Sequence, residues 1–287
     1  MTMASRGFLG LGTHGFHRVA YTEWGAEADA AESRRAVVCV HGLTRNGRDF
    51  DMLAAGLEDA FRVVCPDMVG RGKSDWLPEA DAYGYPQYLA DMTALIARLD
   101  VAHVDWVGTS MGGLIGMMMA AQPKSPIRRL VVNDIGPMIP KAALERIGAY
   151  AGADPRFETI DQVEAHIRER YAPFGALSDE QWRHMAETSG RTVDGGYALA
   201  CDRAIGAPFL EKPPEDFEIW AVWDAIRCPV LVLRGADSDV LTAETARAMT
   251  ERGPGATIHE IAGVGHAPAL MAADQIALVR DWLRAGD

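Results

Sequence analysis

Five short stretches of the chain are apolar at nearly every position: Ala36 to Val40, Phe61 to Val64, Val104 to Val107, Leu130 to Val132 and Val230 to Leu233. A strand with one wet face alternates apolar and polar residues, so runs without alternation predict strands covered on both faces. Gly-containing turns and helix-like patterns follow these runs. Strands alternating with helices predict a mostly parallel sheet wrapped in helices. Pro86 to Leu99, Leu114 to Ala121 and Ala273 to Ala285 read as helices, and His17 to Trp24 reads as an additional strand or hairpin at the sheet's edge.

The rhythm breaks between Asn133 and Pro229, where about 95 residues show no strand pattern. Lys141 to Tyr150, Gln162 to Tyr171 and Asp179 to Thr188 read as helices. The expected organisation is a core domain of residues 1–137 and 226–287 carrying a mainly helical cap over residues 138–225. Such a cap excludes water and supplies an apolar pocket wall. Its aromatic residues, Trp182 among them, are candidates for substrate contact; the competing reading makes them the cap's own core.

Chemistry enters at Gly108-Thr109-Ser110-Met111-Gly112, a G-x-S-x-G pattern placed between a predicted strand and a predicted helix. That placement is the context a nucleophile elbow requires. A strand turning directly into a helix strains the backbone and leaves no room for neighbouring side chains. It also exposes the Ser110 hydroxyl at a helix N-terminus, where developing negative charge is favoured. His41-Gly42-Leu43 follows the first buried strand, and its glycine lets the backbone bend back towards the serine. The N–H groups of Leu43 and Met111 are the candidate oxyanion donors, and His41 reads as a structural group within that loop. His266, in a Gly- and Pro-flanked loop before the last helix, is the candidate general base. Three carboxylates compete to orient it: Asp237 and Asp239 after the strand Val230 to Leu233, and Asp134 after the strand before it. Arg45, beside the oxyanion turn, is either a clamp for a substrate carboxylate or a surface residue paired with local acids.

Composition narrows the partners. The formal net charge of −12 and the lack of a Lys/Arg cluster argue against nucleic acid and anionic membrane surfaces. No apolar run approaches 18 residues, so no membrane span is expected. Cys39, Cys65, Cys201 and Cys228 contain no CxxC pair and read as free thiols, which points to a cytoplasmic location. His14 and His17 read as part of a surface turn and not as a metal site. Neither metal nor cofactor is expected, and oligomeric state is not readable.

Taken together, HGLTRN (His41 to Asn46), PDMVGRGKSDW (Pro66 to Trp76), GTSMGG (Gly108 to Gly113), LRGADSDVL (Leu233 to Leu241) and GVGHAP (Gly263 to Pro268) resemble the α/β-hydrolase superfamily. Within it they resemble capped bacterial carboxylesterases related to C–C hydrolases, lactonases and haloalkane dehalogenases. The resemblance implies an eight-stranded, mostly parallel sheet flanked by helices, with a helical cap inserted. It implies cofactor-free serine esterase chemistry on a small-molecule ester. Relatives with RGxxSDxL use the second acid, which favours Asp239 over Asp237. Some dehalogenases use the acid after the preceding strand, which keeps Asp134 open. Ser110 stands where dehalogenases of this kind carry Asp, so alkyl-enzyme chemistry is disfavoured. C–C or lactone hydrolysis with the same residues, perhydrolase activity and a non-catalytic binding module are the alternatives.

Overall fold

The computed structural model describes residues 3–25, 34–211 and 215–285. Eight strands, numbered along the chain, form the main sheet: β1 Met3–Gly12, β2 Gly15–Trp24, β3 Ala36–Val40, β4 Arg62–Pro66, β5 Val104–Thr109, β6 Ile127–Asn133, β7 Val230–Gly235 and β8 Thr257–Ile261. Their order across the sheet is β1-β2-β4-β3-β5-β6-β7-β8. The β1–β2 hairpin is antiparallel and joins β4 antiparallel; from β4 to β8 every pairing is parallel.

The unalternating runs arise because the two faces of the sheet each have a core. In β3, Ala36, Val38 and Val40 pack on one side and Val37 and Cys39 on the other; in β7, Val230 and Val232 oppose Leu231 and Leu233. The first face is covered by helices α2 (Tyr85–Leu99) and α3 (Met111–Ala120), through Met92, Leu95, Leu114 and Ile115. The second is covered by α1 (Asp51–Leu57) and the C-terminal helix Ala273–Arg284, through Leu53, Leu57, Val279 and Leu283. All five strands read from the sequence are present. The fold is the expected α/β architecture.

Between β6 and β7 lie helices α4 (Lys141–Ala151), α5 (Ile160–Arg170), α6 (Asp179–Ser189), α7 (Ala207–Glu211) and α8 (Trp220–Ala225). A capping box starts α6: Ser178 Oγ accepts from Gln181 N, and Gln181 Oε1 accepts from Ser178 N at 2.8 Å. The expectation that this stretch holds no strand is corrected. Arg156–Phe157, Gly196–Leu199 and Gly190–Val193 make a small antiparallel sheet, and Met138–Ile139 pairs with Phe217–Glu218. These strands are too short and too rich in Gly, Arg and Thr to show a periodic pattern. Trp182 is buried among Val163, Ile167 and Met185, so it belongs to this stretch's own core and does not line the pocket described below.

The stretch meets the sheet's carboxyl-terminal edge through specific contacts. Asn46 Nδ2 donates to Thr188 O at 3.0 Å, and Gly265 N donates to Pro173 O at 2.7 Å. Among the described residues, no helix is long and apolar enough to cross a membrane. The four cysteines are free thiols. His14 lies in the β1–β2 turn, as read from the sequence, but His17 does not: it is buried in β2, 2.8 Å from Asp91 Oδ1.

Candidate active site

The carboxyl ends of β5, β6 and β7 are stitched side by side. Ser110 N donates to Asn133 O at 2.9 Å, and Asp134 N donates to Leu233 O at 2.8 Å. Ser110 therefore leaves β5, and Asp134 leaves β6, at the same level of the sheet. Ser110 sits between β5 and α3 with φ 51° and ψ −116°, a strained conformation for a non-glycine residue. The positions two residues to either side must be glycines. A Cβ at Gly108 would lie 2.2 Å from Gly112 O, and one at Gly112 would lie 2.0 Å from Val40 O. Buried Trp106 donates its indole N–H to Gly112 O at 3.0 Å and holds the start of the helix.

His266 Nε2 is 2.9 Å from Ser110 Oγ, and His266 Nδ1 is 2.8 Å from Asp134 Oδ2. A carboxylate only accepts, so Nδ1 carries the proton and Nε2 faces the serine hydroxyl as acceptor. Asp134 is fully buried and also accepts from Gly235 N at 2.7 Å and Ser238 Oγ at 2.6 Å. Like Ser110, Asp134 has a positive φ, 56°.

The favoured acid from the sequence, Asp239, is not brought to the histidine. It is exposed and paired with Arg146 of α4, Nε to Oδ2 at 2.6 Å and Nη2 to Oδ1 at 2.7 Å. Asp237 is also exposed. What the loop after β7 sends inwards is Ser238, which sequence reasoning missed. Asn133 was missed too: its Nδ2 donates to Thr109 Oγ1 at 3.0 Å and to Pro268 O at 2.8 Å, tying the elbow to the histidine loop. An Asn directly before the acid at a strand end is the signal that could have been read.

At the Gly42 turn the backbone is equally constrained. Gly42 O accepts from Arg45 N at 3.1 Å and from His41 Nδ1 at 2.7 Å. A trans peptide points its N–H opposite its carbonyl, so the Leu43 N–H faces away from both donors. A Cβ on Gly42 would lie 3.7 Å from Ser110 Cβ, so this peptide borders the serine. Among the described residues, neither the Leu43 nor the Met111 N–H donates to another group of the chain. His41 Nε2 accepts from Met68 N at 3.0 Å, and burial lowers its pKa to about 3, so it is a neutral structural group. Buried Arg71 holds the next carbonyl, donating from Nε to Leu43 O at 2.8 Å.

These groups open into a pocket bounded on the sheet side by Ser110 and His266 and opposite by Ile147, Tyr150, Tyr171 and Phe174. Burial pushes the Tyr150 phenol up to about 12, which keeps it a neutral hydroxyl. Arg45 lines the pocket but is neither exposed nor free. Its Nε and Nη2 donate to Asp49 at 2.8 and 2.5 Å, Nη1 donates to Ser189 Oγ at 2.9 Å, and its guanidinium lies 4.6 Å from the Tyr171 ring centroid. Burial alone would favour the neutral form, and Asp49 outweighs it, so Arg45 stays charged as half of an internal ion pair. Among the described residues no group of three His, Cys, Asp or Glu is placed to hold a metal.

A doubly covered parallel sheet with its serine on a strand-to-helix turn, and a histidine and a buried aspartate arriving from later loops, defines a hydrolase. Residues 37–278 match the alpha/beta hydrolase family, and the chain belongs to it. The chain is 46% identical over 273 residues to the 3-hydroxybutyrate-oligomer hydrolase of Cupriavidus necator, 92% of each chain being covered. It is 30% identical over 227 residues, 79% of each chain, to the 2-(acetamidomethylene)succinate hydrolase of Mesorhizobium japonicum. The crystal structure of an alpha/beta hydrolase from Novosphingobium aromaticivorans superposes with a TM-score of 0.85 at 35% identity, covering 98% of each chain.

Proposed function

We propose that the chain is a serine esterase cleaving short hydroxyacid esters of the 3-hydroxybutyrate-oligomer kind, with Ser110, His266 and Asp134 as its triad. The observation that carries this reading is the continuous hydrogen-bonded chain from Ser110 Oγ through both nitrogens of His266 to Asp134. The substrate class is supported by the Cupriavidus necator relative, aligned over nearly the whole chain.

In this mechanism His266 Nε2 takes the Ser110 proton as Oγ attacks the ester carbonyl, and Asp134 stabilises the imidazolium. The Leu43 and Met111 N–H groups, free of internal acceptors, receive the oxyanion. The C–O bond to the alcohol breaks, and His266 returns its proton to the departing oxygen. Water, deprotonated by the same histidine, attacks the acyl-serine; the acid departs and Ser110 regains its proton. Residues 138–225 act as the cap, with Tyr150, Tyr171 and Phe174 closing the pocket over the serine.

The test is hydrolysis of the 3-hydroxybutyrate dimer and of a p-nitrophenyl ester series by wild type and three variants. Ser110→Ala should lower kcat by several orders of magnitude, on the order of 10⁴ or more. Asp134→Asn should lose about as much, because it leaves the histidine in the wrong tautomer. Asp239→Asn should keep most of the wild-type kcat. Greater damage from Asp239→Asn than from Asp134→Asn would overturn the assignment of the acid.

A further inference from the structure

The chain carries 40 acidic and 28 basic side chains, yet the pocket wall reverses the balance: Arg45, Arg146 and Arg170 line it, against the single carboxylate of Asp49. A cationic cleft in an acidic protein focuses its field on anions. Two of the three arginines are already committed. Arg45 is held by Asp49 and Ser189, and Arg146 gives both its forked donors to Asp239. Arg170, at the C-terminal end of α5, differs. It is exposed at the rim, its guanidinium lies 4.5 Å from the Tyr150 ring centroid, and among the described residues it makes no ion pair. Arg168, two residues earlier and so on a different face of the helix, pairs with Glu164 and Asp179. The Tyr150 face steadies the Arg170 guanidinium and leaves its edge donors for a planar anion.

We propose that Arg170 binds a free carboxylate of the substrate, so that the pocket selects esters whose alcohol half is itself a carboxylic acid. This rests on the esterase reading of the same site. The carboxylate recognition that the sequence suggested for Arg45 thus moves to another element: Arg45 is neutralised within the protein, and Arg170 is available. A hydroxyacid oligomer bound in this way is cut at the ester next to its acid end and releases a hydroxycarboxylate.

The experiment compares the 3-hydroxybutyrate dimer as the free acid and as its neutral methyl ester, using wild type, Arg170→Gln and Arg170→Lys. Wild type should prefer the free acid. Arg170→Gln should lower kcat/KM on the acid about 10- to 100-fold, mainly through KM, as expected for loss of a charged hydrogen bond, and leave the methyl ester within about twofold. Arg170→Lys should recover part of the loss. Equal effects on both substrates, or no preference in wild type, would overturn the proposal. Calorimetric titration of the free-acid dimer into the Ser110→Ala protein, with and without Arg170→Gln, reads binding without turnover. Arg170-dependent binding, together with a wild-type protein that hydrolyses neither ester, would remove the esterase reading and leave the carboxylate site standing. Binding indifferent to Arg170 would remove the carboxylate site.

Discussion

Ser238 holds the carboxylate that is proposed as the triad acid. Its hydroxyl donates to Asp134 Oδ2, the same oxygen that faces His266 Nδ1, and accepts from Leu241 N at 3.1 Å. Removing it deprives a buried carboxylate of one of three donors, and groups that orient a catalytic side chain are worth about 1.5–3 kcal/mol when the bond is charge-assisted. Ser238→Ala should therefore lower kcat about tenfold or more with little change in KM. A KM effect without a kcat effect would place Ser238 in substrate binding. The serine was overlooked in the sequence because the flanking carboxylates, Asp237 and Asp239, are the conspicuous residues of that loop. The acid proposed here, Asp134, was hard to favour from the sequence for a related reason. Both strand ends offer carboxylates, and the choice depends on the sheet order and the positive φ at Asp134, neither of which is written in residue type.

At the scale of elements, legibility followed burial. The five strands covered on both faces carry unbroken apolar runs and were readable, as was the elbow with its glycines. The edge strand β8, Thr-Ile-His-Glu-Ile, is partly or fully exposed along its length and shows no such run. Asp239, the acid that the sequence favoured, is paired with Arg146 instead of His266. Asp239 and Arg146 tie α4 to the loop after β7, joining the proposed cap to the core at the pocket. Both side chains are roughly half exposed, 43% and 49%, so the tie is worth at most about 1 kcal/mol. Its effect should be on motion more than on folding. In Arg146→Ala, hydrogen exchange of the amides in residues 141–151 should accelerate while the melting temperature barely moves. Asp239→Asn should reproduce this, and the double variant should add nothing further. Additive effects would mean that the two residues act separately.

For the whole molecule, one buried group with a clear acid dependence is His41, beside the Gly42 turn. Its pKa falls from 6.5 in the unfolded chain to about 3 in the folded one. Between these values the unfolded state binds a proton that the folded state does not, so stability rises with pH. The contribution is fully present above about 6.5 and is lost as pH falls towards 3. The slope is about 1.4 kcal/mol per pH unit for a single such group. Asp67 and Asp91, whose pKa values burial raises, act in the opposite sense above the ordinary carboxylate range. Denaturant midpoints measured from pH 7 down to pH 4.5 should fall in wild type and fall less steeply in His41→Asn. Parallel curves would exclude His41 as the source.

The pairing of Met138–Ile139 with Phe217–Glu218 brings the two ends of the region between β6 and β7 side by side. Asp134 precedes this clasp, as do Ser110 and the Leu43 turn, and His266 follows it. Nothing proposed to take part in bond-breaking lies beyond it, whereas Tyr150, Arg170, Tyr171 and Phe174 all do. The protein is thus built like a tool with a detachable head. A recombinant exchange made just outside the clasp would replace the proposed cap and its share of the pocket wall in one piece, and leave the proposed triad on the original handle.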